Sequence, residues 1–294
     1  MKKFNITGIC RPTQHYMADI SGKLSQTLRL VEYGEYFIIN RPRQYGKTTM
    51  LFTLASTLQK SEGYFAIRTS FEGIGDLSFE SEQAFSKMFV RLLAKYVSIS
   101  APELNAFMET QISIAENIET LSDVITNIVI KTHKKVVLLI DEVDKSSNNQ
   151  LFVSFLAMLR SKYLERDEIL TFHSVVLAGV HDVKSLKLKL RPDEEQKYNS
   201  PWNIATDFKV DMNFSPSEIK PMLDEYAKDN ALSIDSQEIA DSIFYYTSGY
   251  PFLVSKLCKT FDEDILPKKE AKTFTKNDVE AAVKIVVKEN NTNF

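Results

Sequence analysis

The chain has 294 residues, of which 44% are hydrophobic and 26% are charged, and its formal net charge is −3. These are ordinary globular values, and the slight acidity argues against a protein that coats nucleic acid or anionic membrane. Two cysteines are too few for a disulfide framework and lie too far apart for a metal motif, and no apolar run approaches the ~20 residues of a membrane span, so we expect a cytoplasmic protein.

The first strong motif follows an apolar run at 36–40, which predicts a buried strand, and precedes a segment at 47–59 with helical character. A strand, a tight loop and a helix that begins at Gly-Lys-Thr form the phosphate cradle of P-loop nucleotidases. One position departs from the GxxxxGKT pattern, because Arg41 stands where the first glycine belongs. The predicted phosphate-binding residues are Arg41, Pro42, Arg43, Gln44, Tyr45, Gly46, Lys47, Thr48 and Thr49.

The residue types in this loop suit the binding of a nucleotide. Backbone N–H groups of the loop and of the helix N-terminus point at the anion, and Lys47 adds a positive charge. The hydroxyl of Thr48 is placed to ligate Mg²⁺.

Further strands and helices alternate along the chain. A second strand is predicted at 64–70, and apolar residues recur at nearly helical spacing between 79 and 97. The segment 104–131 also has helical character, in two pieces. After an acidic motif near 141, we expect a helix at 151–166, a buried strand at 172–179 and a short last strand at 208–210.

The acidic motif completes the chemistry that the loop suggests. Five apolar residues at 136–140 predict a strand buried on both faces, and Asp141 and Glu142 follow it directly. Carboxylates at the carboxyl end of such a strand lie where α/β sheets bind ligands. Asp141 would hold Mg²⁺ and Glu142 would polarise the attacking water. The alternative is a core strand that ends in a solvated acidic turn, and the glycine-lysine-threonine loop earlier in the chain favours the functional interpretation.

Strand–helix alternation predicts an α/β domain at 1–212, with a parallel sheet and helices on both faces. Beyond 213 we find no convincing strand and expect a small all-helical domain at 213–294, of the kind that packs as a lid. Ser215 and Glu218 form a capping-box pattern with proline at the first helical position. Helices are predicted at 216–229, 236–247, 251–264 and 276–289, and the polar segment 184–200 is expected to be a solvated loop.

Together these motifs resemble the AAA-like ATPases of bacteria, near the archaeal-ATPase and STAND branches of the AAA+ class. The resemblance covers nearly the whole chain, and an Arg-Pro-Arg-Gln opening of the loop is typical of the group. It implies an additional-strand P-loop fold, in which the 172–179 strand lies between the P-loop strand and the Asp141 strand. The segments that carry the resemblance are 15–17, 40–49, 139–144, 200–205 and 249–253.

The resemblance also implies roles for residues outside the two motifs. A polar residue just past the 172–179 strand would sense the γ-phosphate, and His181 or Asp182 stands there. Pro251, in a Gly-x-Pro sequence, is similar to the STAND proline that contacts nucleotide; the alternative is a helix stop and restart.

Other candidate roles remain open between a functional and a structural explanation. The rings of His15 and Tyr16 could flank the adenine, although Tyr16 suits core packing equally well. Arg160 and Arg166 stand where AAA+ relatives often carry an arginine finger that acts across subunits, and the alternative is a charged helix face.

The sequence therefore predicts an ATPase that binds ATP or ADP with Mg²⁺ and acts as a switch through its helical lid. Lys47 and Glu142 are the predicted catalytic residues, and Thr48 and Asp141 the predicted metal ligands. We expect a protein partner or self-association and no membrane partner. One alternative is a nucleic-acid-associated ATPase, which the net acidity does not support, and another is a non-hydrolysing nucleotide sensor that binds a protein.

Overall fold

The computed structural model describes residues 2–143, 150–180 and 202–288. The chain divides into two compact units. We call residues 27–42 and 51–209 the sheet unit, and residues 1–26, 43–50 and 210–294 the helical unit. These units are defined by their internal contacts and are not continuous in sequence. The division into domains at 1–212 and 213–294 stays a prediction.

Four parallel strands form the sheet of the sheet unit, in the order β1-β4-β3-β2 among the described residues. Strand β4 therefore lies between the P-loop strand and the Asp141 strand, as the family resemblance implies. All residues of β4 are buried, which shows that both faces of the sheet are covered. The strands are β1 (Tyr36–Asn40), β2 (Tyr64–Ser70), β3 (Lys135–Asp141) and β4 (Ser174–Gly179).

The helices between the strands largely follow the sequence prediction. The segment predicted as two helical pieces divides into two helices, and Asn117 caps the second by accepting a hydrogen bond from the backbone N–H of Thr120 at 2.8 Å. A helix at Ser21–Glu32 was not predicted. The helices are α1 (Ser21–Glu32), α2 (Lys47–Gln59), α3 (Glu82–Val97), α4 (Pro102–Gln111), α5 (Ile118–Thr132) and α6 (Gln150–Leu164), with a 3₁₀ turn at Asp76–Phe79.

Aromatic rings packed at steep angles to one another hold α3 and α6 together in the core of the sheet unit. The ring centroids of Phe89 and Phe155 lie 4.7 Å apart, and those of Phe85 and Phe155 lie 5.4 Å apart. All three side chains are fully buried, in one cluster with alternate apolar residues of β3. This packing keeps β3, and the acidic residues at its end, in a fixed position.

The short strand predicted at 208–210 is wrong. A single bridge joins Phe37 to Thr206, and the Thr206 N–H donates to the carbonyl of Tyr36 at 2.8 Å. Beyond it, the ring of Phe208 stacks on that of Phe37, with centroids 5.8 Å apart and planes 5° apart. The Phe208 ring therefore packs the segment against β1, and among the described residues 208–210 belong to no strand of the sheet.

Over its described residues, the helical unit contains four further α-helices and, against prediction, two short strands. Each strand has two residues, and they pair in parallel, Ser233 with Thr273 and Ile234 with Phe274. The expectation that no strand follows 213 is therefore wrong, because a pair this short has too few residues to show a strand pattern. The elements are α7 (Pro216–Asn230), β5 (Ser233–Ile234), α8 (Ser236–Thr247), α9 (Pro251–Thr260), β6 (Thr273–Phe274) and α10 (Lys276–Lys288).

Helix α7 begins with the predicted capping box, since the side chains of Ser215 and Glu218 each accept from the other residue's backbone N–H. A π-helical turn, Phe261–Ile265, continues α9 over most of its predicted length. The predicted loop at 184–200 lies outside the described residues. Among the described helices, none combines the length and the apolar character that crossing a membrane requires.

Candidate nucleotide-binding site

The predicted phosphate loop leaves the sheet at the carboxyl end of β1. The Arg41 N–H donates to the carbonyl of Gly179 at 3.2 Å, so the first loop residue is still tied to β4. The guanidinium of Arg41 donates to the carbonyl of Asn40 at 2.7 Å and lies over the Phe208 ring, 5.7 Å from its centroid. The structure thus places Arg41 at the base of the loop, and its contact with phosphate stays a prediction.

Two residues with positive φ turn the loop back on itself. Gly46 has φ +76°, and Gln44 has φ +63° although it is not glycine. A Cβ added at Gly46 would meet no described atom within 4 Å, so the backbone conformation, and not lack of space, calls for glycine there. A non-glycine residue with left-handed backbone stores strain, and such strain is common in ligand-binding loops.

Helix α2 starts directly after this turn, and its first residue is Lys47. The Met50 N–H donates to the carbonyl of Gly46 at 2.9 Å, which closes the first helical turn. That turn carries no acidic residue, and Lys47 is only 7% exposed. The positive end of the helix dipole and a lysine are therefore combined where the loop ends, which fits an anion such as phosphate.

The two threonines of the motif differ in their surroundings. Thr49 Oγ1 accepts a hydrogen bond from the backbone N–H of Cys10 at 3.1 Å, so the N-terminal segment contacts the start of α2. Thr48 is half-buried. A contact between Cys10 and the loop was not predicted, because nothing in the local sequence links residues this far apart.

The acidic motif lies at the carboxyl end of β3, paired with the last residue of β2. Asp141 is 3% exposed, and its Oδ1 accepts from the Glu142 N–H at 3.0 Å. Glu142 is partly exposed and has φ +55°, a left-handed conformation. Because β1 and β3 run parallel in one sheet, Asp141 lies at the same edge as Arg41, the residue that opens the loop.

The predicted ligands Thr48 and Asp141 suit a magnesium ion better than a metal whose ligands must all be protein side chains. Among the described residues, no three His, Cys, Asp or Glu side chains gather into a metal site. Mg²⁺ keeps several waters and is usually held by one or two carboxylates together with substrate phosphates. Asp141 offers one buried carboxylate of the kind that Mg²⁺ takes, and its role as a metal ligand, like that of Thr48, stays a prediction.

His15 and Tyr16 lie in the helical unit, where both are buried. The Nδ1 atom of His15 accepts from the Arg11 N–H at 2.8 Å, and burial lowers the pKa of this imidazole. Tyr16 packs between the rings of Phe4 and Tyr226, with centroids 5.0 and 5.2 Å away, and its hydroxyl donates to Asp229 at 3.1 Å. Tyr16 thus packs in the core, as its structural alternative states, and a place beside adenine stays a prediction for both residues.

The two candidate arginine fingers are held by neighbouring groups. Arg160 Nε donates to the side chain of Asn203 at 2.8 Å. Arg166 donates to the carbonyl of Gly34 at 2.7 Å, and its guanidinium lies 4.0 Å from the ring centroid of Tyr163. Gly34 precedes β1, so Arg166 lies at the amino edge of the sheet, opposite Asp141, where its contacts are those of a structural residue.

Of two other predicted site residues, His181 and Pro251, the structure describes only Pro251. His181, with its neighbour Asp182, lies outside the described residues. Pro251 is buried as the first residue of α9 and therefore fits the helix-restart interpretation, while its contact with nucleotide stays a prediction.

Tyr250, which precedes Pro251, contacts the phosphate loop and was not among the predicted site residues. Its hydroxyl donates to the carbonyl of Arg43 at 3.0 Å, and its ring centroid lies 4.7 Å from that of Tyr45. The only sequence signal was its position inside the Gly-x-Pro motif.

Comparisons with known proteins agree with this geometry. Residues 12–273 match the family model described as AAA-like domain. No protein with a curated description matches the chain in sequence. Among solved structures, the fold resembles the Aeropyrum pernix ORC2 protein in its ADP form, with TM-score 0.53 and 13% identity over 95% of this chain and 70% of that one. It also resembles the Aeropyrum pernix ORC1 protein in complex with DNA, with TM-score 0.52 and 11% identity over 92% of this chain and 66% of that one.

Proposed function

The chain belongs to the AAA-like domain family, and from this premise we propose that it binds ATP with Mg²⁺ and hydrolyses it to ADP and phosphate. Its fold is that of a P-loop ATPase of the AAA+ class, a parallel sheet with helices followed by a helical C-terminal region. One observation carries the proposal. The loop after β1, which leads through Gly46 into α2, leaves the sheet at the edge where Asp141 ends β3 and Glu142 follows it.

Each residue of the proposed site has one role. Lys47 and the N–H groups at the start of α2 bind the phosphates, and Thr48 and Asp141 hold the metal. Bound Mg²⁺ neutralises charge on the phosphate oxygens. Glu142 orients and polarises the attacking water, and its half-exposed position after β3 leaves room for that water. Catalysis is then positional and electrostatic, with no covalent intermediate on the protein.

The helical region gives the ATPase its function as a switch in this proposal. Pro251 and its neighbours change conformation when nucleotide binds, and a protein partner or a second copy of the chain binds one of the two conformations. Sedimentation with ADP and with a slowly hydrolysed ATP analogue tests the switch. A nucleotide-dependent change in sedimentation supports it, and identical profiles with both nucleotides contradict it.

Phosphate release from ATP tests the catalytic assignment. We expect the wild-type protein to release phosphate with Mg²⁺ and to stop with EDTA. Asp141→Asn should slow release by about 100-fold, because the metal loses its carboxylate ligand. Asp167→Asn, an exposed aspartate at the amino edge, is the matched control and should behave as wild type. Binding of ATP without any release would favour the non-hydrolysing sensor.

Association with nucleic acid is the second candidate function. The Aeropyrum pernix ORC1 protein was solved in complex with DNA, and this chain has a similar fold. A salt-dependent gel shift with duplex DNA would support that function, and the net charge of −3 leads us to expect no shift.

A further inference from the structure

Tyr250 stands on a rigid turn between α8 and α9. Gly249 has φ +75°, and a Cβ added there would lie 2.0 Å from the carbonyl oxygen of Phe214. The carbonyl of Gly249 accepts from the Phe214 N–H at 2.8 Å, and the N–H of Gly249 donates to Thr247 Oγ1 at 3.1 Å. Backbone contacts on both sides of Gly249 therefore fix where the next residue, Tyr250, can point.

From this turn Tyr250 reaches the phosphate loop with both its ring and its hydroxyl. The hydroxyl donates to the Arg43 carbonyl at 3.0 Å and lies 3.4 Å from Gln44 Oε1. The ring packs on that of Tyr45, with planes 34° apart. Burial raises the pKa of Tyr250, so the hydroxyl keeps its proton and remains a donor at neutral pH. Tyr250 therefore contacts three consecutive residues of the loop.

Because the peptide bond is planar, the hydrogen bond from Tyr250 to the Arg43 carbonyl also fixes the direction of the Gln44 N–H. The carbonyl of Arg43 and the N–H of Gln44 belong to one rigid peptide plane and point in opposite directions. A hydrogen bond that holds the carbonyl toward Tyr250 therefore holds the N–H away from it. Gln44 also has a strained left-handed backbone, which needs such an external restraint to persist.

We propose that Tyr250 is a positioning residue for the phosphate loop, which orients the peptide between Arg43 and Gln44 so that its N–H is available to nucleotide phosphate. The proposal rests on the proposed function, because it assigns that loop to phosphate. By linkage, bound phosphate must strengthen the Tyr250 contact as much as the contact strengthens phosphate binding. Tyr250 thereby couples the turn before α9 to the occupancy of the loop.

Two substitutions separate the hydroxyl from the ring, and an exposed tyrosine supplies the control. Tyr250→Phe removes only the hydrogen bond, and Tyr250→Leu also removes the ring contact with Tyr45. Tyr245→Phe and Tyr245→Leu are the matched controls, since Tyr245 lies in α8 and is 79% exposed. All variants are first compared with the wild type by thermal melting.

Affinity for ATP and for inorganic tripolyphosphate gives the first readout. We expect Tyr250→Phe to weaken both by the same factor, about fivefold, as for the loss of one hydrogen bond. Tyr250→Leu should weaken both further, and the Tyr245 variants should bind as wild type. Wild-type affinities in both Tyr250 variants would overturn the proposal, as would a loss for ATP without a loss for tripolyphosphate. A wild-type protein that binds neither compound overturns the proposed function as well.

Hydrogen exchange of the peptide that spans 41–49 gives a second readout without any ligand. We expect faster exchange in Tyr250→Leu than in wild type, because the loop loses its restraint, and no change in Tyr245→Leu. Equal exchange in Tyr250→Leu and wild type would overturn the positioning role even if nucleotide binding were intact. This measurement therefore separates failure of the inference from failure of the proposed function.

Discussion

The carboxyl ends of the four parallel strands, here the carboxyl edge, differ from their amino ends, the amino edge, in backbone conformation and in the partners of their charged side chains. At the carboxyl edge, Glu142 is held at φ +55°, and its carboxylate has no hydrogen bond or ion pair with the described residues. At the amino edge, Gly34 and His133 have positive φ; the carbonyl of Gly34 accepts from Arg166, and His133 is the left-handed C-cap of α5, whose N–H donates to the carbonyl of Ile130. At the carboxyl edge the left-handed residue is a glutamate whose carboxylate has no described partner; at the amino edge the left-handed residues are a glycine and a helix cap, and Arg166 is hydrogen-bonded internally.

We propose that this difference separates residues that serve a ligand from residues that serve stability. Left-handed backbone costs a non-glycine residue roughly 1–2 kcal/mol, whereas glycine adopts it freely. The left-handed backbone of Glu142 caps no helix, unlike that of His133, and this supports our proposal that the ligand site lies at the carboxyl edge. Substitutions at the two edges should accordingly have opposite consequences for turnover and for stability.

The largest effect is expected from Glu142→Gln at the carboxyl edge. The amide cannot accept a proton from water, so phosphate release should fall by about 100-fold or more, while the affinity for ATP stays unchanged. Steady-state phosphate release and equilibrium binding measure the two quantities. Glu168→Gln, an exposed glutamate after α6, is the control and should turn over as wild type. Unchanged phosphate release by the Glu142→Gln protein would exclude Glu142 as the base.

Gly34→Ala should have the largest effect on stability at the amino edge. Gly34 has φ +70°, and a Cβ there would lie 3.2 Å from the His173 carbonyl oxygen. We expect the free energy of unfolding to fall by about 1–3 kcal/mol, with ATP affinity retained. Urea denaturation measures the change. Gly22→Ala in α1, where a Cβ meets no described atom within 4 Å, is the control and should be neutral or stabilising. Equal effects of the two substitutions would contradict the assignment of structural strain.

Arg166→Met tests whether the amino edge takes part in catalysis. Loss of the hydrogen bond to Gly34 and of the contact with Tyr163 should lower the free energy of unfolding by about 1–2 kcal/mol. Phosphate release should remain at the wild-type rate in the folded variant. An arginine finger acting between subunits would instead lose roughly 10³-fold in turnover, with little change in stability. That result would move Arg166 from the structural to the catalytic residues.

Glu142→Gly should give the smallest effect on the free energy of unfolding, and this effect has the opposite sign. Glycine removes the cost of φ +55° but adds chain entropy to the unfolded state, so we expect stabilisation of up to about 1 kcal/mol. Turnover should be lost, as in Glu142→Gln. Both variants lose the carboxylate, but only Glu142→Gly also removes the cost of the left-handed backbone. Denaturation curves therefore compare the free energy of unfolding of the two variants. A Glu142→Gly protein less stable than Glu142→Gln would show that the left-handed backbone carries no strain.

Local signals account for the parts that the sequence predicted. The helix that starts at Lys47, the strand that ends at Asp141 and the capping box at Ser215 each depend on residues close together in the chain. The central position of β4 came from the family resemblance, and the strand pairing confirms it. Helix α1 was not predicted, although its apolar residues recur at the same helical spacing as those of the helices that were.

Contacts between distant residues account for the parts that could not be predicted. The alternation of Phe208, Lys209 and Val210 is a strand pattern, but a strand also needs a backbone partner, which no local sequence specifies. Tyr250 and Arg43 are 207 positions apart, so only the folded chain reveals their hydrogen bond. The strain at Glu142 was equally hidden, since glutamate itself gives no signal of a left-handed backbone.

Equilibrium binding of ATP to the wild-type and Lys47→Ala proteins tests most directly whether the loop after β1 is a nucleotide site. We expect the wild type to bind and Lys47→Ala to bind about 100-fold more weakly or not at all, since a charge-assisted contact with phosphate is lost. Lys228→Ala, an exposed lysine in the last turn of α7, should bind as wild type. Equal affinity in the wild-type and Lys47→Ala proteins, or no binding by the wild type, would contradict the account.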